Sequence, residues 1–372
     1  MCFCFWRVRE LVRCVRELLR RVRQLVHSGM PLAGEWEKHS RYMSTLIKSN
    51  PADPSSRPSD EQLTPGVREF MKVLQSGSPI ETLPKLAARQ VLIDAQKAYN
   101  VDYSGITESA KEIKMDGFTL QLNIVRPEGV EGELPAFIFI HGGGWMLGDY
   151  PTHRRLVRDL VVESGVASVF VNYTLSPEAH YPQAINEIYA ATKWVAALGR
   201  EIGVDGGRLA VVGNSAGGNL TGAIGLLAKE ESVLEIRCLV MLWPVTDASF
   251  SEQSYKTYAD EPFLTTSMMK WLWDQYTTDL KARKEIHASL LNATPAQLSG
   301  LPPVLVVVAE NDVLRDEGEA FGRKLAEAGV VATTVRYGGM VHDWGMLNGL
   351  AGEPATRSLM RHVGAELRHF LK

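Results

Sequence analysis

The sequence predicts an α/β fold built on an open, mostly parallel central sheet with helices on both faces. Short apolar runs alternate with helical stretches, which is typical of parallel strands joined by helical crossovers. Each run is almost continuously apolar, as expected of strands covered on both sides. The composition agrees, because 45% of the 372 residues are hydrophobic and 22% are charged. That balance supports a large core and excludes a globally disordered chain.

The first 29 residues differ from the rest of the chain. Residues 1–28 hold seven Arg and two Glu, a net charge of +5, and a seven-residue repeat begins at Val8, Val15 and Val22. The repeat predicts a basic amphipathic helix that ends near Ser28-Gly29. Three interpretations stay open: an appended leader with Met30 as the true start, a helix that pairs with another chain or docks on the body, and a membrane-surface helix. Arg interrupts every apolar run, so a secretory signal is not predicted.

The N-terminal region then predicts two helices. Residues 49–60 are a polar, proline-rich connector, and residues 61–76 and 82–100 have helical patterns. We expect the second helix to bury one apolar side. That side would be formed by Leu83, Leu86, Val91 and Ala95.

Strand patterns begin at residue 113. Asp116-Gly117 is a two-residue hairpin turn between Ile113–Met115 and Phe118–Arg126. A helical insertion from Phe263 to Tyr276 interrupts the later alternation. The predicted strands are Ala136–Ile140, Ala167–Val171, Leu209–Val212, Leu239–Trp243, Val304–Ala309 and Thr333–Tyr337, and the helices lie near 153–163, 183–200, 216–229 and 316–328.

The motif Gly213-Asn-Ser-Ala-Gly217 predicts a serine nucleophile. It directly follows a predicted strand and directly precedes a predicted helix, which is the setting of a nucleophile elbow. The sharp turn exposes the Ser215 hydroxyl, and the helix N-terminus supplies unpaired N–H groups beside it. The alternative is a phosphate-binding turn, but the Lys or second glycine pattern that would accompany one is not found.

His141-Gly142-Gly143-Gly144-Trp145 follows the strand Ala136–Ile140. Three successive glycines leave backbone N–H groups uncovered, and such groups can stabilise the oxyanion of a tetrahedral intermediate. The alternative is a flexible glycine loop. We expect His141 to brace this loop through a hydrogen bond rather than to act as a base.

A serine nucleophile needs a base and a carboxylate that orients the base, and in this sheet type the chain order is Ser, Asp or Glu, then His. His342 lies five residues after the last predicted strand and is the expected base. Asp312, just past the strand Val304–Ala309, is the favoured acid, with Glu310 and Asp316 as alternatives. Asp316 is better suited to capping the next helix.

Together these motifs resemble the hormone-sensitive-lipase family of α/β-hydrolase esterases over roughly residues 80–372. The resemblance implies the α/β-hydrolase fold with a helical cap, hydrolysis of carboxylic esters with short or medium acyl chains, and no metal or other cofactor. It implies a triad of Ser215, Asp312 and His342. It further implies oxyanion donors at the N–H groups of Gly143, Gly144 and Ala216, with Gly142 shaping the turn.

The chain departs from the family pattern at several positions. Asn214 stands where the family usually has Asp, and Asp343-Trp344 stands where it usually has Gly-Phe. Thr174 and Ser176 likewise replace the family's Arg and Ala. None of these changes removes a member of the expected triad, but Asp343 could perturb the pKa of its neighbour His342.

The predicted organisation has three parts: the leader 1–29, cap helices in 30–110, and a catalytic domain over 111–372 with a cap insertion at about 246–295. Trp145, Phe263 and Trp271 are candidate substrate contacts, with packing inside the cap as the alternative.

The expected ligand is a small-molecule ester. A net charge of −3 gives no attraction to nucleic acid, and no run of 18 apolar residues predicts a membrane-spanning helix. Only Cys238 lies outside the leader, so neither a disulfide framework nor a metal site is expected, and a cytoplasmic location is predicted.

Three other functions are open. One is a lipase that attaches to lipid aggregates through residues 1–29, another is a ligand-binding relative without catalysis, and the third is a peptidase or amidase. An exposed edge strand at Thr333–Tyr337 would also allow a homodimer.

Overall fold

The computed structural model describes residues 62–74, 78–260 and 263–372, and its centre is one eight-stranded sheet. The spatial order is β1-β2-β4-β3-β5-β6-β7-β8. The pairs β1–β2 and β2–β4 are antiparallel, and the remaining neighbours are parallel. The strands are β1 Ile106–Met115, β2 Phe118–Pro127, β3 Leu134–Ile140, β4 Ala167–Asn172, β5 Val204–Asn214, β6 Ile236–Leu242, β7 Val304–Asn311 and β8 Ala332–Val341.

The predicted hairpin is confirmed, with Met115 paired to Phe118 across the Asp116-Gly117 turn. Its first strand starts seven residues earlier than predicted, at Ile106. Residues 107–112 are mostly polar and exposed because β1 is an edge strand with one face in solvent. The prediction therefore missed them, since it relied on apolar runs.

The helices cover both faces of the sheet. The connection from β3 to β4 runs in one direction along the sheet, and the connections from β4 to β5 and from β5 to β6 run in the other. Because such crossovers are right-handed, the helix of the first connection lies on one face of the sheet and the helices of the other two lie on the opposite face. Accordingly α3 packs against α10, and α4 packs against α5. The helices are α1 Pro65–Leu74, α2 Lys85–Lys97, α3 Tyr150–Ser164, α4 Gln183–Leu198, α5 Ala216–Glu231, α6 Ser254–Thr257, α7 Thr266–Tyr276, α8 Pro295–Leu298, α9 Arg315–Glu327 and α10 Pro354–Phe370.

The strand order reverses between β3 and β5. After β3 the chain moves to β4 on one side, and after β4 it crosses back over β3 to β5. A crevice forms where connections leave neighbouring parallel strands in opposite directions, and open α/β sheets bind ligands at this point. The glycine motif follows β3 and Ser215 follows β5, so the fold brings both to the same crevice.

The predicted apolar side of α2 is wrong. Leu86 is 74% exposed and Val91 is 40% exposed, whereas the buried side carries Ala88, Leu92 and Gln96. The helix has apolar residues on more than one side, and a polar residue, Gln96, belongs to the buried one. Hydrophobic periodicity alone could not identify the buried side of α2, because Gln96 is polar. Its hydrogen-bond partners lie in distant parts of the sequence.

Among the helices of the described ranges, none is both long enough and apolar enough to cross a membrane. The predicted leader helix, residues 1–29, and the connector at 49–60 lie outside the described residues.

Candidate active site

Ser215 occupies the tight turn between β5 and α5. It is the residue immediately before the first turn of α5, and its backbone has φ 55° and ψ −119°. A non-glycine residue in this region stores about 1–3 kcal/mol of strain, which the surrounding structure must hold. The Ser215 N–H donates to the carbonyl of Leu242 (2.8 Å), and the side chain makes no capping bond to the helix. The hydroxyl is therefore directed away from its own helix.

Gly217 explains why the elbow motif needs glycine after the serine. A Cβ on Gly217 would overlap the carbonyl oxygen of Ile140, at the end of β3. The first turn of α5 can therefore approach the end of β3 only because this side chain is absent. The result is that Ser215 lies beside the glycine motif that follows β3.

The structure brings Ser215, His342 and Asp312 into one hydrogen-bonded chain. The Ser215 Oγ donates to His342 Nε2 over 2.9 Å, and His342 Nδ1 donates to Asp312 Oδ2 over 2.7 Å. A carboxylate can only accept, so His342 Nδ1 carries a proton and Nε2 is the acceptor of the Ser215 hydroxyl. All three side chains are buried, with 4%, 2% and 1% of their surfaces exposed. The arrangement can remove the hydroxyl proton from Ser215.

The two alternative acids are engaged elsewhere. Glu310 accepts a hydrogen bond from the Gly339 N–H (2.7 Å). Asp316 accepts from the Ser254 N–H (2.8 Å) and from Arg315 (2.8 Å), and so ties α9 to α6. The expectation that Asp316 caps α9 is wrong, because the residue before the first turn is Leu314 and Asp316 lies inside that turn.

The glycine motif contains one bracing residue and two residues whose N–H groups have no acceptor among the described residues. The Gly142 N–H donates to Asn214 Oδ1 (3.0 Å) and so fixes the turn. Among the described residues, no acceptor takes the N–H groups of Gly143 or Gly144. Gly143 has φ +102°, a conformation that essentially only glycine adopts. Ala216 is the first residue of α5, where a backbone N–H has no intrahelical partner.

His141 braces the loop, as expected. Its Nδ1 donates to the Gly142 carbonyl (2.8 Å), and the Tyr173 hydroxyl donates to the His141 carbonyl (2.9 Å). The imidazole is stacked on Tyr173 and Phe170 and lies 5.4 Å from the ring of His153. Complete burial lowers the pKa of His141 to about 4, so the ring is neutral near pH 7.

Asp343 is a second buried carboxyl beside His342. Its Oδ1 accepts from Asn214 Nδ2 (3.0 Å) and Trp243 Nε1 (2.5 Å), and its Oδ2 lies 3.8 Å from His342 Nε2. Burial raises the pKa of Asp343, while the neighbouring His342 and the hydrogen bonds from Asn214 and Trp243 oppose that rise. The sequence showed that Asp343 follows His342 but could not show which way its side chain points.

The candidate substrate contacts have different surroundings. The Phe263 ring lies 6.3 Å from the His342 ring, with an interplanar angle of 28°. Trp145 is completely buried and stacks face to face on Tyr276 of α7, with ring centroids 4.2 Å apart. That packing supports a structural role for Trp145. Trp271 is half-buried and packs against the hydrophobic core.

Leu272 is a candidate contact that the sequence reasoning missed. Its isobutyl group lies directly over Gly144, where a Cβ on the glycine would overlap it. It is 2% exposed and lies in α7 between two Trp residues, of which Trp271 was the predicted contact. A heptad-like reading of α7 would have placed Leu272 with Met269 and Tyr276 on the buried side.

Metal-binding side chains do not cluster in the part of the chain that the structure describes: no group of three or more His, Cys, Asp or Glu there could hold an ion. Cys238 is a buried thiol on β6 whose pKa burial raises to about 12. Cys2, Cys4 and Cys14 lie outside the described residues.

Comparison with protein families matches residues 137–346, more than half of the chain, to a model described as the alpha/beta hydrolase fold. Ethyl acetate hydrolase of Pseudomonas putida is 30% identical over 318 residues, which cover 82% of this chain and 99% of the relative. Carboxylesterase NlhH of Mycobacterium tuberculosis is 31% identical over 274 residues, which cover 73% of this chain and 80% of the relative.

Solved structures of esterases are also similar to this chain. A crystal structure of a thermostable esterase from Pseudomonas putida shares 55% identity with a TM-score of 0.84, covering 85% of this chain and 99% of that one. A mutant of esterase rPPE complexed with (S)-Ac-CPA has 54% identity and the same TM-score and coverage. The similarity therefore extends over nearly the whole length of these esterases.

Proposed function

The chain belongs to the hormone-sensitive-lipase family of α/β-hydrolases and is a carboxylesterase, and from this premise we propose that Ser215, His342 and Asp312 carry out its reaction through an acyl-serine intermediate. The observation that supports these roles is the pair of hydrogen bonds, 2.9 Å and 2.7 Å, that links the hydroxyl to the imidazole and the imidazole to the carboxylate. Both distances lie within the range that proton transfer requires.

In the acylation step, His342 Nε2 accepts the proton of Ser215 while Oγ attacks the ester carbonyl carbon. The carbonyl π electrons move to its oxygen, and the N–H groups of Gly143, Gly144 and Ala216 stabilise the resulting oxyanion. Asp312 holds the imidazole in the required tautomer and stabilises its charged form. When the tetrahedral intermediate collapses, the C–O bond to the alcohol breaks and His342 returns the proton to the departing oxygen.

In the deacylation step, water replaces the alcohol. His342 Nε2 accepts a proton from the water as its oxygen attacks the acyl carbon, and the same N–H groups stabilise the second oxyanion. Collapse breaks the bond to Ser215 Oγ, which takes the proton back from His342. The carboxylic acid leaves, and the enzyme is regenerated without a cofactor in either step.

The proposed substrates are small-molecule esters with short or medium acyl chains. Ser215 and His342 are almost completely buried, and Phe263 and Leu272 lie next to the base and to Gly144 respectively. A site enclosed in this way favours a compact acyl group. A relative that is 30% identical is named for the hydrolysis of ethyl acetate, which supports the same size class.

The roles are tested with two substitutions. We expect Ser215→Ala to abolish nitrophenyl acetate hydrolysis while the far-UV spectrum is unchanged, and Asp312→Asn to lower kcat by roughly 10⁴ because the tautomer is no longer held. Glu310→Gln is the matched control, since its carboxylate binds Gly339 instead. Retained turnover in Ser215→Ala, or a larger loss in Glu310→Gln than in Asp312→Asn, contradicts the assignment.

The lipase alternative makes a different prediction. If residues 1–29 attach the enzyme to lipid aggregates, a protein that starts at Met30 should lose activity on long-chain emulsions and keep its activity on dissolved acetate esters. Equal activity of the two forms on emulsions would exclude the attachment role. A panel of nitrophenyl esters of rising acyl length, run on both forms, defines the acyl preference in the same experiment.

A further inference from the structure

Helix α2 presents two polar side chains that reach different loops of the site. Arg89 and Gln96 are seven residues apart, so they lie on the same side of the helix, about 10 Å from each other along its axis. The buried Ala88 and Leu92 anchor this side to the core. The helix lies before residue 137, where the match to the family model begins.

Gln96 binds the loop that follows His342. It is 4% exposed, and its Nε2 donates to the carbonyls of Met346 (3.0 Å) and Thr152 (2.6 Å). The Asn348 N–H donates to Gln96 Oε1 (2.8 Å), and Asn348 Nδ2 donates to the Gln96 carbonyl (3.0 Å). Both amide protons and the amide oxygen are therefore committed. One buried side chain joins the histidine loop to the first turn of α3.

Arg155 of α3 supports the same loop from the other side. Its Nη2 donates to the Gly345 carbonyl (2.6 Å), and its Nε donates to Asn348 Oδ1 (3.3 Å). Arg155 is 2% exposed and is paired with Asp159 (3.1 Å), so its charge is compensated. Gln96 and Arg155 thus hold the loop at three residues, Gly345, Met346 and Asn348, which lie three to six positions after His342.

Arg89 binds the end of the glycine motif. Its Nε donates to the Met146 carbonyl (2.9 Å), and Met146 in turn donates its N–H to the Gly143 carbonyl (3.2 Å). The guanidinium also donates to the Ser176 carbonyl (3.1 Å) and to both carboxylate oxygens of Glu178 (2.9 and 2.8 Å). This pairing holds the pKa of Glu178 at about 2, so the carboxylate is charged throughout the working range.

We propose that α2 is a positioning helix of the hydrolytic site, in which Arg89 fixes the glycine loop and Gln96 fixes the histidine loop at a set separation. The inference depends on the roles proposed above for His342 and for the N–H groups of Gly143 and Gly144. The helix makes the oxyanion donors and the base parts of one rigid frame. A misplacement of about 1 Å between such groups lowers turnover by roughly 10²-fold.

The test replaces each polar side chain with an unbranched apolar one of similar length. We expect Gln96→Met and Arg89→Met each to lower kcat for nitrophenyl acetate by about 10- to 100-fold while KM changes by less than about threefold. Gln90→Met is the matched control, because Gln90 lies on the same helix and bonds only to the exposed Asp94 (2.7 Å). Its kcat should stay within about twofold of the wild-type value.

Thermal unfolding separates positioning from plain stabilisation. A folded Gln96→Met or Arg89→Met protein with a lower Tm and an unchanged kcat would overturn the proposal, and so would a rise in KM alone. If Gln96→Met does not fold, Arg89→Met carries the test, because the Arg89 side chain is partly exposed and its loss leaves no buried charge unpaired. Activity retained in Ser215→Ala would overturn the assignment of the nucleophile. Loss in Ser215→Ala with unchanged kcat in both Met variants would overturn only the positioning role.

Discussion

Asn214 and Asp343, which both depart from the family pattern, are hydrogen-bonded to each other. Asn214 uses its amide oxygen to accept from Gly142 and its amide nitrogen to donate to Asp343, each over 3.0 Å. The usual Asp at position 214 could still accept from Gly142, but it would bring a second buried carboxylate against Asp343. An amide accepts at its oxygen and donates from its nitrogen, whereas an ionised carboxylate can only accept.

This pairing predicts a compensating substitution. Asn214→Asp alone should lower the free energy of unfolding by about 3 kcal/mol, because two buried carboxylates then face each other without a donor between them. Adding Asp343→Gly, which restores the family pattern, should recover most of that loss, and glycine also suits the φ of 59° at position 343. Urea unfolding of the single and double variants measures the coupling. Additive effects in this cycle would show that the two side chains do not interact.

At the scale of elements, helix α7 packs onto the glycine motif. Tyr276 stacks on Trp145 with an interplanar angle of 3°, and Leu272 lies over Gly144. Trp145 has φ 59°, which is strained for a bulky residue, so the stack also holds an unfavourable backbone conformation. Helix α7 therefore supports the glycine motif through both contacts.

We expect the ring of Tyr276, rather than its hydroxyl, to stabilise the backbone conformation at Trp145. Within the described residues the buried Tyr276 hydroxyl has no hydrogen-bond partner. Tyr276→Phe should therefore be neutral or slightly stabilising, since it removes an unsatisfied polar atom. Tyr276→Ala should lower the free energy of unfolding by about 3–5 kcal/mol and also lower kcat, because the stack on Trp145 is lost. Denaturant unfolding and nitrophenyl acetate kinetics on both variants check this, and equal losses in Phe and Ala would contradict it.

At the scale of the whole molecule, the buried His141 and His153 behind the glycine motif make stability depend on pH. Burial lowers the pKa of His141 to about 4 and that of His153 well below its ordinary value of 6.5. Below pH 6.5 the unfolded chain binds protons at these residues while the folded chain does not. The contribution of these two histidines is thus complete above pH 6.5, and we expect it to be lost progressively as the pH falls toward 4.

His141 alone should contribute roughly 3 kcal/mol to this loss across that interval, at 1.36 kcal/mol for each pH unit. Urea unfolding between pH 7 and pH 4.5 measures the slope. We expect His153→Gln, which removes one of the two titrating groups, to give a shallower acid slope than the wild type. His369→Gln is the control, because this histidine is exposed in α10 and should leave the slope unchanged. An identical slope in His153→Gln and the wild type would contradict the explanation.

The sequence by itself determined the sheet, the order of the motifs and the choice of Ser215, Asp312 and His342 as the candidate triad. These features depend on local rules: continuous apolar runs for buried strands, glycines where backbones must approach, and chemistry-bearing residues just after strand ends. The antiparallel edge strand β1 was predicted only in part, because its exposed residues have no apolar pattern.

Only the tertiary structure decided which partners the polar side chains find. Gln96 bonds to residues about 250 positions away, and Asn214 bonds to Asp343 across 129 positions. Such contacts depend on how separate elements pack, and the composition of one element does not encode them. The buried side of α2 was misassigned for this reason, since its most important buried residue is a glutamine. Position in the packed fold also made Asp343 a neighbour of the base and Leu272 the cover of Gly144.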